Sequence, residues 1–452
     1  MKTIDATKGS LTKQIFIYTI PLVLSTILQS LFDIADKAVL GNMAGTTAVA
    51  SIAATTTVSS LIISGAVGLA TGTAIVLARF VGQKNEERIR KTIDTSLITS
   101  VSIGLLVAVI GFILTPIFLT VTKCPDECFN GALYYMRIVI SAAPATLLYN
   151  YGSAILRTLG DSQRPLIYIA IAGVIKVTLN IILCIVLPQK VIAVAVATIV
   201  ANIISASLVL FRLSHLDDNI KVKINQMHFD FSSFVCILRF GIPASISNLV
   251  LPLGNIQITT AINSYGPNAM AGQAAALSVE NFSYAFSGGF ASAAMTFMGQ
   301  NIGAKNIDRV RKTFWLCIFY NTLITGSLGV LTYLSGEFWL GIIVGAASTE
   351  AIRYGMMRLF YVILFVFIHA ISAILVSSMK AFGYPMLASI TNIAFNLGFR
   401  VLWMQFIYPI NPKFSTIMLC YTVAWTLNLL FYMLFVSIVY RRYAKKGICK
   451  DI

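Results

Sequence analysis

Gly82-Gln83-Lys84-Asn85-Glu86-Glu87-Arg88-Ile89-Arg90-Lys91-Thr92 returns 221 residues later as Gly303-Ala304-Lys305-Asn306-Ile307-Asp308-Arg309-Val310-Arg311-Lys312-Thr313. The glycines, the Lys-Asn pairs and the Arg-x-Arg-Lys-Thr endings coincide. Other landmarks keep nearly the same shift: Ile20-Pro21 reappears as Ile242-Pro243, and Gly160 with Pro165 as Gly383 with Pro385. The chain is therefore two copies of one unit. A duplicated unit in a very apolar chain is a common transporter design, with the cargo handled between the copies.

Hydrophobic residues make up 57% of the chain and charged residues 11%, against about 25% charged in soluble domains. Apolar runs long enough to cross a bilayer as helices recur throughout. Spans are expected near 14–40, 50–78, 94–120, 131–156, 166–187, 191–212, 234–262, 271–299, 313–335, 352–378, 385–408 and 416–440. Barrel strands are excluded, because the runs do not alternate apolar and polar residues. The fold class is all-α and polytopic, with twelve transmembrane helices in two six-helix repeats. An amino-terminal lobe over 1–213, a cytoplasmic linker over 214–233 and a carboxy-terminal lobe over 234–452 follow.

The net charge of +16 follows topology and does not point to nucleic acid. Most Lys and Arg fall at the amino terminus (Lys2, Lys8, Lys13), in loops after even-numbered spans (Arg79 to Lys91, Arg157, Arg164, Lys305 to Lys312), in the linker and at the carboxyl terminus up to Lys450. This positive-inside asymmetry predicts that both termini are cytoplasmic. Six spans per copy bring the second copy into the membrane in the same orientation, so the repeats are parallel. Met1 to Lys13 is polar and the next apolar run is a full span, so no cleaved leader is expected. Cys124 and Cys128, in Lys123-Cys-Pro-Asp-Glu-Cys, read as a solvated outside loop, with a disulfide or metal pair as the alternative. No motif for a cofactor, a phosphate loop or a nucleophile stands out. The three His (His215, His228, His369) form no catalytic cluster, which argues against a membrane-embedded enzyme.

Ionisable side chains inside spans are costly and are functional candidates by default. Ser25, Gln29, Asp33 and Asp36 share a stripe of the first span, and Lys176, Asn180 and Cys184 a stripe of the fifth. The eighth span carries Gln273, Glu280, Tyr284 and Ser287, the tenth His369, and the eleventh Asn392, Asn396 and Arg400. Counted from Pro165 and Pro385, Lys176 corresponds to Asn396 and Asn180 to Arg400. By sign, Asp36 or Asp33 is expected to pair with Lys176, and Glu280 with Arg400. Such pairs serve either ion coupling or helix packing. His369 suits proton handling through its ordinary pKa near 6.5, or is a hydrogen-bonded packing residue. Tyr149, Tyr151, Tyr284, Phe286, Phe365, Trp403 and Trp425 are candidates to line a cavity for a flat organic cation. Pro21 and Pro243 are expected in the first turns of their spans, and Pro144 and Pro252 at mid-span kinks.

The whole chain resembles the multidrug and toxic compound extrusion (MATE) family of the multidrug/oligosaccharidyl-lipid/polysaccharide exporter superfamily. Pro21 with Asp36-Lys37-Ala38-Val39-Leu40-Gly41 is similar to the family's first-helix signature. Phe297-Met298-Gly299-Gln300-Asn301-Ile302-Gly303-Ala304 resembles its stretch after span 8. Arg157-Thr158-Leu159-Gly160-Asp161 and Lys380-Ala381-Phe382-Gly383 resemble its paired motifs after spans 4 and 10.

The resemblance implies two six-helix lobes around a central cavity in a bacterial plasma membrane. It implies export of organic, often cationic compounds by alternating access, in exchange for protons or sodium ions. Asp36 falls on the family's acidic residue in span 1. Cys184 stands where a second aspartate is usual, Lys176 is added beside it, and Leu251 and Pro252 replace the acid some branches carry in span 7. These departures favour protons over a sodium ion at Asp36 and Asn180. The expected coupling residues are Asp36, Asp33, Lys176, Asn180, Glu280, Arg400 and His369, and the expected cavity residues are Gln29, Tyr149, Gln273, Tyr284 and Asn396. No cofactor is expected, and a complete pair of lobes suggests a monomer. A flippase for lipid-linked oligosaccharides or lipids, from the same superfamily, is the alternative.

Overall fold

The computed structural model describes residues 4–44, 46–121, 124–217, 219–345 and 348–446. Met1, Lys2, Lys123, Asp218 and Lys450 lie outside the described residues, as do the side chains of Lys37, Leu251 and Pro252. The first copy runs through α1 (Leu11–Ala44), α2 (Thr46–Gln83), α3 (Glu86–Val121), α4 (Asp126–Ser141), α5 (Ala143–Thr158), α6 (Gln163–Val186) and α7 (Lys190–Ser214). The second opens with α8 (Phe231–Asn263), α9 (Pro267–Gly303), α10 (Ile307–Leu334), α11 (Gly336–Val344) and α12 (Thr349–Tyr361). It closes with α13 (Val366–Ala381), α14 (Pro385–Ile393), α15 (Phe399–Leu402) and α16 (Phe414–Lys446). Among the described residues ten helices or helix runs are long and apolar enough to span a bilayer, and α4 with α5 makes an eleventh. The twelfth expected span is α9, which is long enough but rich in Gly, Ser, Asn and Gln. Apolar side chains at Leu105, Val109, Ile113 and Ile117 form an exposed stripe on α3, the spacing that presents one helical face to lipid.

The duplication is visible in backbone geometry. Lys84 and Lys305 are the two described non-glycine residues with positive φ, at 56° and 57°. Each precedes an asparagine that caps the next helix: Asn85 Oδ1 accepts from Arg88 N–H at 3.0 Å, and Asn306 Oδ1 from Arg309 N–H at 3.1 Å. Gly160 and Gly383 end their helices at φ 91° and 90°, a conformation that favours glycine. Gly160 is doubly constrained, since a Cβ there would lie 2.2 Å from the Ile4 carbonyl oxygen. The corresponding residues of the two copies fold alike because the same local chemistry recurs in each.

The chain divides into two compact units. One comprises Met1–Asp5 with Leu24–Ser245, the other Ala6–Val23 with Ile246–Ile452. The leading part of α1 thus belongs with second-copy helices, and the leading part of α8 with first-copy helices. In the first unit, α8 presses on α2: a Cβ on Gly68 would come within 2.2 Å of Ser245 Cα, and one on Gly72 within 2.4 Å of the Ile237 carbonyl. Ser245 Oγ donates to the Gly65 carbonyl at 2.9 Å. In the second unit, Gly289 of α9 takes the place of Gly68 and meets Thr19 and Val23 of α1. Close approach through glycines substitutes for the hydrophobic drive that lipid does not supply between helices.

Other anchors explain motif residues. In the second unit, Gln300 Oε1 accepts from Ala6 N–H at 3.1 Å, and Asn301 donates to the Ala6 carbonyl at 3.1 Å. Arg309 donates to the carbonyls of Ala6, Lys8 and Gly9. The Gln-Asn pair and the repeated arginine therefore hold the segment that leads into α1. In the first unit, the linker ends on Asp230, whose N–H donates to Thr95 Oγ1 at 3.0 Å and whose carboxylate accepts from Ser233 N–H at 2.7 Å, capping α8.

Two proline expectations need correction. Pro21 sits well inside α1 and Pro243 well inside α8, because these helices start upstream at Leu11 and Phe231. Pro144 does mark a break: α4 and α5 meet at a 48° bend, with the proline in the first turn of α5. Among the described residues no disulfide joins Cys124 to Cys128, and Cys128 is buried in α4.

The contrast between neighbouring glycines yields a stability prediction. Gly65 has nothing within 4 Å of an added Cβ, so Gly65→Ala should leave the thermal midpoint in detergent unchanged or slightly raised. Gly68→Ala forces a backbone–backbone clash and should cost about 1–3 kcal/mol, read as a clearly lowered midpoint.

Candidate functional site

A buried ion pair between helices stands out in each unit. In the first, α1 and α6 are drawn together at Gly173, where a Cβ would lie 1.8 Å from the Phe32 ring. One turn along, Lys176 Nζ meets Asp36 Oδ2 at 2.5 Å. A further turn along, Asn180 Nδ2 donates to Asp36 Oδ1 at 2.5 Å. The carboxylate can only accept, so it orients the amide nitrogen towards itself. Asp36 is 7% exposed and Asn180 is fully buried. Beyond them Cys184 packs with Leu40, Ile52 and Val194. Tyr135 of α4 lies in the electrostatic reach of Asp36 and Asp33.

The second cluster is built on α9. Gln273, Glu280 and Tyr284 recur on one face, and α12 brings Arg358 against it. Arg358 Nε and Nη2 donate to the two oxygens of Glu280, each at 2.8 Å, and Nη1 donates to Gln273 Oε1 at 3.0 Å. Glu280 is 0% and Arg358 1% exposed. Tyr284 reaches Glu280 Oε2 at 3.5 Å and stands edge-on to His369, centroids 5.3 Å apart. The guanidinium carbons of Arg358 and Arg400 lie 5.0 and 4.5 Å from the centroid of one ring, that of Tyr421. Arg400 donates to Asn255 Oδ1 at 3.0 Å and to Asn396 Oδ1 at 3.4 Å. His369 also packs on Trp425 at 5.2 Å, its Nδ1 buried without a hydrogen-bond partner.

The pairing expected between Asp36 and Lys176 is present, whereas that between Glu280 and Arg400 is replaced by Glu280–Arg358. Arg358 lies near the end of an apolar run, where a cation reads as an interfacial charge. Packing of α12 on α9 instead leaves Arg358 inside the protein, 1% exposed and held by Glu280 and Gln273. The legible signal was the Gln273–Glu280 face, which demands a donor group that Arg400 alone was asked to supply. Gln29 and Asp33 are exposed, so the expected stripe of α1 divides between a buried Asp36 and an outer face. Tyr149 is half-buried, donating to the Pro165 carbonyl at 3.2 Å within an apolar cluster. Asn396 is buried beside Arg400, and its amide donates to Asn392. A cavity of about 800 Å³ in the second unit is lined by Tyr333, Glu337, Arg353, Met356, Phe360 and Tyr361 among others. None of the expected cavity residues lines it.

The bidentate clamp sets the expected result of removing Glu280. Glu280→Gln strands the buried guanidinium of Arg358 and should cost about 3–5 kcal/mol, seen as a lower thermal midpoint in detergent. Glu280→Gln combined with Arg358→Met, which removes both charges, should recover much of that loss.

Comparison with known proteins places this architecture. The MatE family profile matches residues 21–186 and 243–402, the two copies in turn. The chain is 27% identical over 359 residues to the "Probable multidrug resistance protein YoeA" of Bacillus subtilis (strain 168), covering 78% of each chain. It is 26% identical over 421 residues to the "Probable multidrug resistance protein YpnP" of the same organism, covering 92% of this chain and 91% of that one. A MATE crystal structure in the bent conformation superposes with a TM-score of 0.88 at 19% identity, over 98% of this chain and all of the other, and shares its fold. The chain belongs to the MatE family, the multidrug and toxic compound extrusion transporters, and is a multi-span membrane transporter and not an enzyme.

Proposed function

We propose that this protein is a secondary active antiporter of a bacterial plasma membrane, with both termini cytoplasmic and a monomeric working unit. It exports organic, often cationic, drug-like compounds by alternating access, in exchange for protons. The observation that carries the coupling is the Asp36–Lys176–Asn180 cluster. Among the described residues it is the site where an intramembrane carboxylate of the first unit meets a titratable cation.

The chemistry is direct. Protonating Asp36 removes its charge, breaks the ion pair and frees Lys176, while Asn180 keeps a neutral partner. Loss of the pair alters how firmly α1 is held to α6, so the two protonation states favour different arrangements of the helix. A ligand or proton shifts a conformational balance only when its affinity differs between the states. A sodium ion fits poorly at this place. Both Asp36 oxygens already accept from N–H donors, and the ammonium of Lys176 occupies the ground a metal cation would need.

The test is transport of a fluorescent organic cation by the full chain in liposomes, with proton and sodium gradients imposed separately. Proton-driven transport lost in Asp36→Asn is the expected result. Transport that follows only the sodium gradient, or that persists in Asp36→Asn, overturns the coupling assignment. Lys176→Gln should leave Asp36 unneutralised and change the pH dependence of transport.

A further inference from the structure

The two clusters differ in their charge balance. Asp36 and Lys176 cancel, as do Glu280 and Arg358, but Arg400 has no carboxylate within ion-pair distance among the described residues. It is 2% exposed, and its hydrogen-bond acceptors among the described residues, Asn255 and Asn396, are neutral amides. Within the second copy's spans the one carboxylate is Glu280, and both of its oxygens are held by Arg358. Arg358, Glu280 and Arg400 therefore sum to one positive charge in a buried setting.

The duplication shows where the counter-charge went. In the register that aligns Pro21 with Pro243, Asp33 corresponds to Asn255 and Asp36 to Ile258. The first copy thus sets the Asp36 carboxylate against its fifth-helix cation, Lys176. The second keeps a cation and replaces both carboxylates by an amide and an alkyl group. Asn255 still meets Arg400, at 3.0 Å, but brings no charge.

Geometry leaves one edge of the guanidinium available. Its face rests on Tyr421, and Nη1 is committed to Asn255. Among the described residues the buried Nε has no acceptor, and Nη2 holds the 3.4 Å bond to Asn396 alone. Nε and Nη2 form the edge that receives two oxygens of a carboxylate or phosphate in parallel. The four residues of α15 that carry Arg400 are set between π-helical turns at Ala394–Gly398 and Trp403–Ile407, and such turns concentrate at functional sites. Gly254 allows α8 to approach, since a Cβ there would lie 2.6 Å from the Asn396 carbonyl.

We propose that the Nε–Nη2 edge of Arg400, flanked by Asn255, Asn396 and Tyr421, binds an anionic group, a carboxylate or a phosphate. Entry requires the helices around Arg400 to part, so this inference rests on the alternating-access reading. It extends the cargo, or a bound regulator, to compounds bearing an acidic group. A bound anion supplies the charge that Asp36 supplies in the first copy.

The test uses the thermal midpoint of the purified full chain in detergent, which a bound ligand raises by mass action. The probes are benzoate, inorganic phosphate, and phosphatidylglycerol against phosphatidylcholine, with tetraphenylphosphonium as the cationic control. Saturable stabilisation by benzoate or phosphate identifies a free solute as the source; stabilisation confined to phosphatidylglycerol identifies a lipid headgroup. Either supports the proposal if Asn255→Asp, which restores the internal counter-charge, weakens the effect about tenfold or more, the scale of one charged hydrogen bond. Asn255→Asp should itself raise the midpoint without any anion, and Arg400→Gln should abolish the anion effect. No stabilisation from any anion, or stabilisation undiminished in Asn255→Asp, overturns the proposal. The assay needs no gradient, so its failure is distinct from a failure of proton-driven transport.

Discussion

Hydrocarbon offers no hydrogen bonds and little dielectric screening, and most of this structure follows from that. Backbone groups are satisfied within helices, so the chain is a series of long helices joined by short turns. Charges that enter the apolar region need a partner. Asp36 has Lys176 and Asn180, and Glu280 has Arg358, with Gln273 taking the remaining guanidinium nitrogen. These contacts place α1 on α6 and α12 on α9 at defined heights, so the ionic clusters also set the register of the helices that carry them.

The copies have kept their backbone and changed their chemistry. The left-handed residues Lys84 and Lys305, the caps Asn85 and Asn306, and the turns at Gly160 and Gly383 are matched nearly to the degree. Those positions obey local steric rules that tolerate little substitution. The polar positions answer to the charge balance of a particular interior. A salt bridge between the first and fifth helices of the first copy has become an amide-bound arginine in the second. Glu280 on α9 carries the carboxylate role instead, with an arginine on α12.

Much of this was legible in the chain. Charges are so rare in the spans that Asp36, Lys176, Glu280 and Arg400 stood out, and two of them were paired correctly by sign. Arg358 was not legible, because a cation close to the end of an apolar run reads as interfacial until the packing of α12 on α9 is seen. Gln29 and Asp33 shared a helical stripe with Asp36, yet a stripe is broad, and only Asp36 turns inward. Pro21 and Pro243 were placed too near the helix starts, since polar leading turns such as Leu11–Gln14 carry no hydrophobic signal.

The sequence by itself determined the duplication, the helical class and the run of apolar spans, because these depend on repeated motifs and on local apolar length. Tertiary structure alone decided that the leading parts of α1 and α8 belong with helices of the other copy. It also decided which arginine meets Glu280, and that Arg400 is left with neutral acceptors. Pairing in a membrane interior is set by which helices touch and at what height. Those contacts are made through glycine approaches such as Gly68 on Ser245 and Gly173 on Phe32. A glycine's missing side chain leaves little mark in a composition or a period, so its partner appears only once the helices are packed.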